Sequence, residues 1–114
     1  MLTIWHNPRC SKSRQTLALI EAAGKPVEIR KYLDDVPTAA EITGMLNQLG
    51  LDDPRALMRR GEAIYKELGL KAVNASDALL KAMSKHPKLI ERPIVSDGER
   101  AIIGRPPEAV KTLL

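Results

Sequence analysis

The chain has one cysteine, Cys10, set in the stretch HNPRCSKSR between an apolar run and a helix-like run. A lone thiol is commonly a small buried apolar residue. Here the surroundings point to chemistry instead. An Asn-Pro turn signal precedes Cys10 and a run with helical apolar spacing follows it, so the sulfur falls at a helix start. There, unpaired backbone N–H groups and the positive end of the helix dipole stabilise an anion. A thiolate is such an anion, and a thiol so placed ionises more readily and becomes a nucleophile. His6, Arg9, Lys12 and Arg14 supply cationic groups within four residues of Cys10, and Ser11 and Ser13 supply hydroxyl donors.

Spacing narrows the chemistry. The dithiol arrangement C-x-x-C lacks its second sulfur, because Ser13 stands there, and the phosphatase loop C-x5-R is absent, because Thr16 is the sixth residue on. A covalent intermediate on Cys10 must therefore be resolved by an outside thiol through exchange chemistry. No internal disulfide can form, and His6, His86 and Cys10 do not present paired ligand spacings, so no metal is expected.

The elements that position Cys10 follow from patterning. "LTIW" (2 to 5) reads as a short buried strand. A helix runs from Ser11 to about Ala23, ended by Gly24-Lys25-Pro26, and "VEIRKY" (27 to 32) alternates as a half-buried strand does. This β-α-β opening implies parallel strands. Next come a helix with a Thr38/Glu41 capping box closed by Gly50, a short helix over "DPRALMRR", and a helix capped by Ser76 and stopped by Pro87. After Pro93, "IVS" and "ERAII" flank an Asp-Gly turn, and "PPEAVKTLL" closes as a helix. The expectation is an α/β fold of the thioredoxin-like kind: one domain over 1–114, a four-stranded mixed sheet, and a helical insertion over about 33–90 between its βαβ and ββα halves.

Composition excludes several classes. A chain of 114 residues suits one domain with its own core. Trp5, Tyr32 and Tyr65 are the only aromatics, which leaves little surface for stacking single-stranded nucleic acid. The net charge of +4 favours anionic partners, but Lys and Arg are dispersed, so a small anion is expected rather than nucleic acid. No apolar run nears the roughly 18 residues that span a bilayer. The segment from Met1 to Trp5 is too short for an export signal, so the expected location is cytoplasmic with no membrane partner.

Four blocks together, "HNPRCSKSR", "RALMRRGEAIYKELGL", "HPKLIERPIV" and "GRPPE", resemble the glutaredoxin-dependent arsenate reductases along nearly the full chain. The resemblance implies that Cys10 attacks arsenate, with glutathione as co-substrate, glutaredoxin as partner and no tightly bound cofactor. It implies that Arg59, Arg92 and Arg105 hold the oxyanion. Guanidinium forks suit that task because they donate paired charge-assisted hydrogen bonds and stay charged. It further implies a cis proline at Pro93 facing the thiol, with His6, Ser13 and Arg14 in support, His6 either tuning the thiolate or serving as a structural histidine. The chain departs from the family at Ser11-Lys12, where a small Gly-Thr pair is common; Lys12 adds charge and bulk.

Two other readings remain open: a monothiol glutathione-linked oxidoreductase or thiol sensor, suggested by "CSKS", and a regulator resembling the Spx-like RNA polymerase-binding proteins. The latter typically carry the C-x-x-C that this chain lacks.

Overall fold

The computed structural model describes residues Met1–Leu114, which divide into two compact units, Met1–Asp35 with Arg92–Leu114, and Val36–Glu91. No helix is long and apolar enough to cross a membrane.

In the first unit Leu2 and Ile4 sit two apart, so both point to one face of strand β1 (Leu2–Trp5) and are buried there. A turn leads into helix α1 (Ser11–Ala22), and the chain returns as strand β2 (Val27–Arg30), parallel to β1 with Ile4 opposite Ile29. Strands β3 (Ile94–Ser96) and β4 (Ala101–Ile103) complete a mixed sheet in the order β2-β1-β3-β4, with β3 antiparallel to both neighbours. The turn between β3 and β4 is held by Asp97, whose Oδ1 accepts from the Glu99 and Arg100 N–H groups at 2.9 and 2.7 Å. A core of Leu2, Ile4, Ile20, Val95 and Val110 joins sheet, α1 and the C-terminal segment. Each such side chain contributes about 1.5–3 kcal/mol by leaving water. This is the thioredoxin-like α/β fold expected from the sequence, with Val36–Glu91 inserted between its two halves.

The second unit is helical. Helix α2 (Ala39–Leu49) begins with the expected capping box, Thr38 Oγ1 accepting from the Glu41 N–H while Glu41 accepts from the Thr38 N–H, each at 3.1 Å. It ends at Gly50, whose φ of 70° is the left-handed geometry glycine adopts freely. Helix α3 (Ala63–Glu67) and helix α4 (Ser76–Lys85) follow.

Four local expectations change. The segment read as a short helix from "DPRALMRR" is a 3-10 turn over Pro54–Leu57, and the closing segment Pro107–Leu113 is also 3-10. Ser76 is the first residue of α4 and not its cap: the Ala75 carbonyl accepts from the Ala78 and Leu79 N–H groups, so the helix starts one residue earlier. That start brings Asp77 into the first turn, where the dipole favours a carboxylate. The five-residue α3 was not foreseen, since one turn and a half is too short to show a period.

Candidate active site

All the following groups lie in the first unit except where stated. The loop from β1 to α1 is tied down by its own side chains. Asn7 Oδ1 accepts from the Arg9 N–H at 3.0 Å, the turn-forming bond typical of Asn. Ser13 Oγ accepts from the Asn7 N–H at 3.1 Å and shares a 2.6 Å hydrogen bond with His6 Nδ1. Arg14 Nη1 donates to the Pro8 carbonyl at 2.9 Å. These bonds deliver Cys10 to the N-cap of α1, in extended geometry and 9 % exposed.

His6 is buried, and burial, reinforced by the charges of Lys31 and Arg14 against a smaller opposing effect of Glu21, pushes its pKa below the usual histidine value. Its ring is bonded to Ser13 through Nδ1, and the lowered pKa favours the neutral form. Arg14, likewise, braces the loop through Pro8.

The Cys10 thiol is subject to opposed influences. Burial pushes its pKa up, but hydrogen bonding from the Ser13 and Lys12 backbone N–H groups and the charges of Arg92 and Arg105 outweigh it, and the net shift is downward. Desolvation disfavours the charged form of a thiol, whereas a helix N-terminus and nearby guanidinium groups favour it. Arg105 Nη1 lies 3.9 Å from Cys10 Sγ and donates to the Arg92 carbonyl at 3.2 Å. Of the three arginines named from the sequence as oxyanion holders, Arg105 is thus brought to the thiol, and the charge of Arg92 acts on it, by way of the sheet, since Arg92 precedes β3 and Arg105 follows β4.

A close approach fixes that pair. The Gly104 N–H donates to the Pro93 carbonyl at 2.9 Å, and a Cβ on Gly104 would stand 2.5 Å from Thr16 Oγ1 and 2.8 Å from Pro93 Cγ. Only glycine fits between α1 and the proline. Thr16 is itself fixed, its hydroxyl donating to the Lys12 carbonyl at 2.8 Å. The Arg92–Pro93 and Arg105–Pro106 peptide bonds are both cis, the first as expected and the second unforeseen. Gly104 escaped notice in the sequence as a site residue, although its place directly before Arg105 was visible.

Arg59 belongs to the second unit. Its guanidinium pairs with Glu62 through Nη1 and lies 3.8 Å from Glu91 Oε1 through Nε. The sequence did not separate Arg59 from Arg60 except by family register; in the structure Arg59 is half-buried and ion-paired, whereas Arg60 is exposed. Neither glutamate was singled out in the sequence; Glu62 stands three residues on from Arg59, a spacing that could have suggested the pair, whereas only tertiary pairing brings Glu91 there.

Chemically, the first-unit site can hold a thiolate and stabilise negative charge beside it, because guanidinium groups and helix N–H donors converge on one sulfur.

A family model described as the ArsC family matches residues 5–113. The arsenate reductase of Neisseria meningitidis is 47% identical over 114 residues, covering 99% of this chain and 97% of that protein. That of Haemophilus influenzae is 48% identical over 112 residues, covering 97% of each. The solved structure of an arsenate reductase from Vibrio cholerae superposes with a TM-score of 0.96 at 50% identity, covering 99% of this chain and 97% of that one. With residues 5–113 of the chain matched by the family model and relatives this similar, the chain belongs to the ArsC family.

Proposed function

We propose that the protein is an arsenate reductase, with Cys10 as nucleophile and arsenate held by Arg92 and Arg105; Arg59 is a further oxyanion ligand on the family resemblance. The observation that carries this reading is the Cys10 thiol, lowered in pKa with the Arg105 guanidinium 3.9 Å from its sulfur. In the first step the Cys10 thiolate forms a sulfur–arsenic bond and an arsenic–oxygen bond breaks, the oxygen leaving as hydroxide. Arg92 and Arg105 offset the charge that gathers on the remaining oxygens. Glutathione then adds at arsenic through its own sulfur, displacing a second oxygen as water. The thiol of glutaredoxin attacks the glutathione sulfur and makes a mixed disulfide. The electron pair of the broken arsenic–sulfur bond stays on arsenic, which passes from the +5 to the +3 state. Water cleaves the remaining Cys10–arsenic bond, releasing arsenite and restoring the thiol.

This sequence accounts for Ser13 in place of a second cysteine, since the resolving thiol comes from outside. No resident cofactor or metal is called for. The reaction belongs in the cytoplasm, where the glutathione pool is kept reduced. The test is a coupled assay of arsenite formation with glutathione and glutaredoxin. Cys10→Ser is expected to lower the rate by at least about 10³-fold. A wild-type rate no better than that of the variant would remove the reductase reading, and a stable glutathione adduct on Cys10 with turnover of mixed disulfides alone would favour a glutathione-linked oxidoreductase.

A further inference from the structure

Arg59 stands in the second unit with two counter-ions, and the backbone explains why both are there. Met58 and Ile90 form an antiparallel bridge, the Arg59 N–H donates to the Leu89 carbonyl at 2.7 Å, and the Glu91 N–H donates to the Leu57 carbonyl at 2.8 Å. Two extended segments are thereby clamped side by side, with Arg59 on one and Glu91 on the other. Glu62 reaches the same guanidinium from the N-cap of α3, its N–H donating to the Arg59 carbonyl at 3.2 Å. Arg59, Arg60, Glu62 and Glu91 all line one open cavity of about 490 Å³.

Contacts other than the acids also hold this region together. The backbone bridge does that, along with Arg55, whose guanidinium donates to Tyr65 Oη, to the Leu70 carbonyl and to the Val73 carbonyl. What Glu62 and Glu91 add is charge: they are the two carboxylates of a cavity that Arg55, Arg59 and Arg60 also line. The Arg59, Glu62 and Glu91 side chains are 28 %, 28 % and 26 % exposed, so the pairing is partly shielded from water yet open to an incoming ion. An anion approaching this guanidinium competes with the Glu62 carboxylate for its N–H donors and is repelled by the Glu91 carboxylate beside it.

We propose that Glu62 and Glu91 form a counter-ion latch on Arg59 that competes with an incoming oxyanion, so that these two positioning residues limit oxyanion affinity. The latch rests on the reading that Arg59 takes part in oxyanion binding; the test separates the two.

Arsenate binding is measured by isothermal titration on the full chain carrying Cys10→Ser, which cannot turn over, and arsenite formation is measured separately with Cys10 intact. Adding E62Q/E91Q is expected to tighten arsenate about fivefold, the effect of removing one modest ionic competition. Adding R59Q as well should abolish the gain. With Cys10 intact, E62Q/E91Q should lower KM for arsenate by more than it changes kcat. If the paired variant does not fold, E62Q alone carries the same test, with a gain of about twofold. Arsenate bound no more tightly by the variants, or a gain that survives R59Q, overturns the latch whatever the reduction assay shows. A gain that depends on Arg59, in a protein that never forms arsenite, keeps the latch and removes the reductase reading.

Discussion

Both units use arginine at their most organised point, and they use it on different acceptors. In the first, Arg92 and Arg105 lower the pKa of a sulfur, and Arg105 lies within 3.9 Å of it. In the second, Arg55 donates to a tyrosine hydroxyl and two carbonyls, and Arg59 pairs with Glu62 and Glu91. Donors directed at the chain's own oxygens hold a fold in place, because removing them leaves partly buried acceptors unsatisfied. Donors directed at an ionisable sulfur prepare a charge for reaction. Arg55 of the second unit thus belongs to stability and Arg105 of the first to chemistry, and substitutions should separate the two.

The largest stability effect is expected in the helical unit. Arg55→Met removes hydrogen bonds to Tyr65 Oη, Leu70 O and Val73 O and should lower the free energy of unfolding by about 3 kcal/mol, read from denaturant titration. Its effect on the Cys10 thiol pKa should be nil. Gly104→Ala comes next. A methyl group forced to 2.5 Å from Thr16 Oγ1 should cost about 2 kcal/mol by overpacking, and, unlike Arg55→Met, should also alter thiol reactivity, because the turn carrying Arg105 must shift. Arg105→Gln stands at the other extreme. This exposed side chain should change stability by under about 0.5 kcal/mol, while raising the thiol pKa and slowing alkylation of Cys10 at neutral pH. A large loss of stability in Arg105→Gln with no change in thiol reactivity would erase the contrast between the units.

What was legible in the sequence was local. Strand β1 occupies the residues read from "LTIW", the Thr38/Glu41 capping box forms as its spacing demands, and α1 ends within a residue of the expected stop. Each depends on residues within a few positions of one another. The 3-10 form of Pro107–Leu113 was not legible, since apolar spacing over seven residues does not distinguish the two helix types. At the candidate site, the helix start beside Cys10 was readable from the turn and the spacing that flank it. The contacts of its neighbours were not: His6 bonds to Ser13, and Arg14 donates to the Pro8 carbonyl. The charges that act on the sulfur come from Arg92 and Arg105, which only the pairing of β3 with its neighbours delivers. Family resemblance supplied those two positions; periodicity did not. Glu91 was invisible for the same reason, because the Met58–Ile90 bridge that sets it beside Arg59 joins distant parts of the chain, whereas Glu62 stands only three residues from Arg59.

The measurement closest to the central claim is the pH dependence of Cys10 alkylation by iodoacetamide, followed by mass spectrometry of the single labelled thiol in the wild-type chain and in Arg105→Gln. A midpoint clearly below the ordinary thiol value of about 8.5, moving upward in the variant, is the expected result. A midpoint at or above that value, unmoved by loss of the guanidinium, would contradict it.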